Sequence, residues 1–174
     1  MIEPKDLLKY AVIPTLQALG PRLSTLAGQK LVMGTIAQES LMGRYLHQRG
    51  GPAMGVCQIE LATCKDIVQR YLNSRPTLSE QFDHATNCEA YGGVRDWNEL
   101  TDDELSQLLH TDLRFQIAVC RLKYWQVPQA LGETLEEQAL YWDVYYNANP
   151  DHGTVEEYKM HWYRFKLDEL FRGL

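Results

Sequence analysis

Glu39 is the side chain with the clearest opportunity for chemistry. It closes the stretch Leu31-Val32-Met33-Gly34-Thr35-Ile36-Ala37-Gln38-Glu39-Ser40, which carries no charge until that residue. Val32, Ile36 and Glu39 stand at i, i+4 and i+7, so on a helix they share one face. That face is apolar and must be buried, which carries the Glu39 carboxyl to the edge of the core. Partial desolvation penalises the carboxylate and should raise its pKa. A carboxylic acid that keeps its proton near neutral pH can give it to a leaving oxygen. Taken alone, a glutamate at a helix end is more often a surface residue, so the neighbouring residues decide. Glu60, just past a Gly-rich segment, is the best second carboxylate if a hydrolase needs one; its other reading is a first-turn acid on the next helix.

Other chemistries find little support. The histidines (His47, His84, His110, His152, His161) show no ligand spacing, and the cysteines (Cys57, Cys64, Cys88, Cys120) form no Cys-x-x-Cys. Buried free thiols in a reducing compartment are the expectation. Asn147, Asn149 and Asp151 followed by Gly153 are similar to a calcium loop, but Gly153 falls one position late and Tyr158 occupies the twelfth position. No nucleophile elbow, zinc-protease or phosphate-loop motif is present. No metal and no organic cofactor are expected.

The elements that must position Glu39 are helical. Thr77/Glu80, Thr101/Glu104, Thr134/Glu137 and Thr154/Glu157 have capping-box spacing. Apolar periodicity then predicts helices near 4–18, 22–41, 60–73, 77–86, 102–109, 111–126, 135–147 and 154–172. Pro14 should break or kink the first. Val155, Tyr158, Trp162 and Phe165 form an aromatic stripe that reads as the core face of the last helix. Residues 43–59 crowd Gly43, Gly50, Gly51, Pro52 and Gly55, which reads as a loop or short hairpin. The expected fold is mainly α, a single domain over 1–174 with one small β element near 43–59.

Composition narrows the class further. With 17 Lys+Arg against 23 Asp+Glu the formal charge is −6, which disfavours a nucleic-acid binder. No apolar run reaches membrane-spanning length. The start Met1-Ile2-Glu3-Pro4-Lys5-Asp6 lacks a basic region followed by an apolar one, so cytoplasmic synthesis without a secretory signal is expected.

The motifs around Glu39 sharpen the reading. Gln38-Glu39-Ser40 is followed by Gly43-Arg44-Tyr45, then Gly50-Gly51-Pro52-Ala53-Met54-Gly55-Val56-Cys57-Gln58-Ile59 and Ala62-Thr63. Far downstream lies Trp142-x-x-Tyr145-Tyr146-Asn147-Ala148-Asn149-Pro150. In this order and spacing, over roughly residues 30–150, the chain resembles the lytic transglycosylases of the lysozyme superfamily, most of all those of tailed bacteriophages. Three departures stand out: Asn149 replaces a usual Gly, Cys57 a large apolar residue, and Leu61 a common proline. None removes a chemical group.

The resemblance implies a lysozyme-like fold and cleavage of the β-1,4 bond between N-acetylmuramic acid and N-acetylglucosamine in peptidoglycan. Glu39 would be the single acid and base, with Tyr146 reaching and tuning it. Ser40, Gln58 and Asn147 would hold the sugar, and glycines of 43–59 would let the glycan approach the backbone. Peptidoglycan strands are the implied partner, and other virion proteins a second. The implied location is the phage virion or the bacterial host cell. A virion structural or interaction protein on the same scaffold, or a hydrolytic lysozyme, are the rivals. The acidic balance leans toward the first of these, because free wall-lytic enzymes tend to be basic.

Overall fold

The structure, a computed structural model, describes residues 1–86, 96–147 and 153–172. Cys88, Ala148, Asn149, Pro150, Asp151 and His152 lie outside the described residues. The fold is mainly α, as the apolar periodicity predicts. In chain order come α1 (Pro4–Leu7), a π-helical turn (Leu8–Val12), α2 (Ile13–Leu19), α3 (Leu26–Ser40), α4 (Leu61–Lys65) and a second π-helical stretch (Asp66–Tyr71). There follow α5 (Pro76–Ala85), α6 (Asp102–Thr111), α7 (Leu113–Trp125), α8 (Leu135–Tyr145), α9 (Val155–Arg164) and α10 (Leu167–Arg172). No described helix is long and apolar enough to cross a membrane.

The expected break at Pro14 takes a specific form. Proline lacks an N–H, and its ring would meet the carbonyl one turn earlier. The helix widens just before it, with Ile13 N–H donating to Leu8 O, and then resumes. Three of the four capping boxes form, at Thr101, Thr134 and Thr154. The fourth is a correction. Pro76 takes the first position of α5, where its fixed φ suits a helix start, so Thr77 lies inside the helix and cannot cap it. The terminal stretch 154–172 is also two helices, because Lys166 takes a left-handed φ of 54° between α9 and α10.

α3 runs through the middle of the core. Leu31, Val32, Met33, Ile36 and Ala37 are inaccessible to solvent. Gly34 makes this possible: a Cβ there would lie 1.9 Å from the Tyr158 hydroxyl, so only glycine lets α9 pack against α3. Tyr158 and Trp162 are buried, as their stripe predicts. Residues 43–59 hold the expected small β element, reduced to two antiparallel bridges, His47 with Met54 and Met54 with Ile59. Met54 is paired on both sides, exchanging backbone bonds of 3.0 and 2.8 Å with Ile59.

Candidate functional site

α3 delivers Glu39 and then stops abruptly. Leu41, Met42 and Gly43 all have positive φ, of 51°, 56° and 71°. Two successive non-glycine residues in this region store strain, which persists only where the surroundings enforce it. Leu41 N–H bonds back to Ile36 O, the six-residue closure typical of a helix end, and Met42 N–H reaches the same oxygen at 3.3 Å. Ser40 completes the clamp: its hydroxyl donates to Ile36 O (3.1 Å) and accepts from Gly43 N–H (2.9 Å). Ser40 is fully buried, so its expected contact with sugar is corrected to a role in holding the turn that aims Glu39.

Glu39 itself is half-buried. Its Oε1 accepts the indole N–H of Trp142, from α8, at 2.8 Å. Burial lifts the carboxyl from its ordinary 4.5 to about 7, opposed by the Trp142 bond and by the Lys123 ammonium on α7. The group therefore exchanges its proton near neutrality, as its place on an apolar helix face predicts. Lys123 donates to Tyr146 O at 3.0 Å and lies 3.7 Å from the centre of the Tyr146 ring. Its own pKa is pushed down by burial.

Tyr146 is close but does not bond to Glu39. Its hydroxyl donates to Cys57 O at 2.8 Å, and its ring stacks on Tyr124 with centroids 5.0 Å apart. The expectation of a direct tyrosine–glutamate contact is thus corrected. With Tyr145 ending α8, the Tyr146 hydroxyl spans to the Gly-rich loop and ties it down. Tyr124 continues the chain inward. The Thr35 hydroxyl donates to Leu31 O (2.8 Å) and accepts from the Tyr124 hydroxyl at 2.7 Å, which fastens this aromatic pair to α3.

The amides behave similarly. Gln58 has a positive φ of 46°, and its Nε2 donates to Gly55 O at 2.6 Å. Its N–H groups are therefore engaged in stapling the loop. Asn147 Nδ2 reaches Gly153 O at 3.2 Å, joining the two residues that flank 148–152. Gly55 does not serve the approach of a ligand. A Cβ there would stand 2.3 Å from Leu109 O, so this glycine admits α6, and Gln116 Oε1 receives the next N–H, of Val56, at 2.8 Å. Gly50, in contrast, has open space around it.

Two participants were not anticipated as such. Trp142 lies four residues before Tyr146, hence one turn earlier on the same face, and that spacing was a usable signal. Lys123 sits on a distant helix and left none. Glu60 acts on Lys123 rather than on Glu39. Cys57 meets Cys120, and burial pushes the Cys57 thiol far above its ordinary range, which disfavours its reactive thiolate. Among the described residues, no three His, Cys, Asp or Glu side chains converge as a metal site. No protein-family model, curated protein or solved structure matches this chain.

Proposed function

We propose that this protein is a glycan-cleaving enzyme that works with one carboxyl, Glu39. More particularly, we read it as a lysozyme-like lytic transglycosylase acting on peptidoglycan. The observation that carries the reading is a half-buried glutamate at a strained helix end, titrating at about 7 and held by an indole N–H. Trp142 and Tyr146, which stand beside it, belong to motifs whose order in the chain resembles that family.

The chemistry follows from that carboxyl. Protonated Glu39 gives its proton to the glycosidic oxygen as the C1–O bond breaks, and the leaving sugar departs as an alcohol. The N-acetyl carbonyl of the muramic residue stabilises the positive C1. Glu39, now a carboxylate, takes the proton of the muramic 6-hydroxyl while that oxygen bonds to C1. A 1,6-anhydro ring forms, Glu39 regains its proton, and no water is consumed. Trp142 fixes the carboxyl direction, and Lys123 limits how far its pKa rises. Tyr146 acts through the loop it anchors, as a positioning residue. The amide oxygens of Gln58 and Asn147 remain as acceptors for N-acetyl and hydroxyl donors of the glycan.

Digestion of purified peptidoglycan, followed by mass spectrometry of the muropeptides, tests this directly. Anhydro-muropeptides, one water lighter than hydrolytic products, are expected from the parent and none from Glu39→Gln. Hydrated ends would make the enzyme a hydrolytic lysozyme. No release by the parent would leave the non-catalytic virion scaffold as the better account.

A further inference from the structure

A groove of about 960 Å³ involves neither Glu39 nor Trp142. It lies where α1, its π-helical turn and α2 meet the joint between α9 and α10. Its floor is apolar, built from Leu8, Ile13, Phe165 and Leu170. Its edges carry Lys5, Lys9, Arg164 and Lys166, all exposed. Glu3 and Glu169 also line it, so cations outnumber carboxylates there, whereas the chain as a whole has 23 acidic against 17 basic residues. Among the described residues, none of these four cations is in an ion pair; the paired ones are Lys65, Arg70, Lys159 and Arg172.

Four unpaired cations on one rim of an acidic protein create a local field opposite to that of the molecule. We propose that this groove docks an acidic amphipathic peptide segment of another protein. Apolar side chains of that segment would enter the floor, and its carboxylates would meet the lysines and Arg164. The volume lies in the range of built binding sites, on the order of 300–1,000 Å³. An apolar floor is the wrong surface for a polyanionic strand, whose charges need a basic track throughout. A concave site bounded by two acids also suits a protruding helix better than a flat anionic bilayer. The inference is independent of catalysis at Glu39.

The test uses the full chain and a short synthetic helix with leucines on one face and glutamates beside them, labelled with fluorescein. Binding is expected, weakening with added salt because the contacts are exposed ion pairs. The same peptide with lysine in place of glutamate should not bind. Lys9→Glu combined with Arg164→Glu, both exposed and chosen to spare the fold, should weaken the glutamate peptide by about tenfold or more; circular dichroism checks that the fold is kept. Absence of binding to the glutamate peptide overturns the proposal, as does equal binding of both peptides. Capture only by phosphatidylglycerol vesicles, or self-association in light scattering without peptide binding, also overturns it.

Discussion

Among the described residues two carboxylates accept an indole N–H, and they differ in almost everything else. Trp142 donates to Glu39 at 2.8 Å, and Trp97 donates to Asp83 at 2.7 Å. Burial raises both pKa values and the indole bond opposes the rise in both. Yet only Glu39 is carried to about 7. The hydrogen bond cannot be the cause, since it is shared. Depth is. α3 buries nine residues and threads the core, while α5 buries only Phe82, Asp83 and Ala85. Lys123 stands near Glu39, whereas the charge acting on Asp83 is Glu80. Asp83 thus anchors Trp97 against Phe82 and Phe115, ring to ring, and its environment reads as architecture. Glu39 has a proton to exchange.

This contrast can be broken by substitution, and the largest effect is expected from the carboxyls themselves. Glu39→Gln should remove at least 10²-fold of lytic activity, the scale of a lost general acid. Asp83→Asn should leave activity within about twofold and cost roughly 1 kcal/mol of stability, the worth of an ordinary hydrogen bond. Turbidity loss of wall suspensions and urea unfolding measure the two. Equal loss of activity in both variants would remove the distinction.

The pH dependence comes next. In the proposed mechanism the reactive form is protonated Glu39, so lysis should decline as pH rises through about 7. Stability should follow the same group. Its folded value, near 7, exceeds the unfolded 4.5, so the native state holds the proton more tightly. Its contribution is full below pH 4.5 and is lost as pH rises to about 7. The full difference is on the order of 3 kcal/mol. Glu39→Gln should therefore be more stable than the parent at pH 8 and nearly equal to it at pH 4. Parallel unfolding curves at both values would contradict the burial argument.

The tryptophans give a smaller effect. Trp142→Phe removes a bond that favours the carboxylate, so the alkaline limb of activity should move upward while the rate falls about tenfold. Trp97→Phe should cost similar stability, about 1–3 kcal/mol, with no change in the pH profile. Smallest of all is Lys123→Met. It should also move the alkaline limb upward, by less than Trp142→Phe does, because one attractive charge is removed. A downward movement would mean that Lys123 does not act on Glu39 as its position requires.

Much of this was legible before any coordinates. The apolar period and the threonine caps set the helices, and the Val32, Ile36 and Glu39 spacing put an acid at the edge of the core. Thr77 misled because Pro76 beside it is the stronger start signal. The break at Lys166 has no glycine or proline to announce it. Ser40, Gln58 and Tyr146 are the instructive cases. Their positions in the chain suggested contact with a ligand or with Glu39. Their hydroxyls and amide hydrogens are instead engaged by Ile36 O, Gly55 O and Cys57 O.

The division has a physical origin. Helix propensity, capping and amphipathic spacing act between residues a few positions apart, so the chain alone dictated that α3 forms, is buried and ends in an acid. Which group meets that acid depends on packing between helices about a hundred residues apart. There, the direction of one indole ring or one hydroxyl is set by all of its neighbours together. That is why Trp142, Lys123 and the inward turn of Ser40 were decided only when α3, α7, α8 and the Gly-rich loop came together.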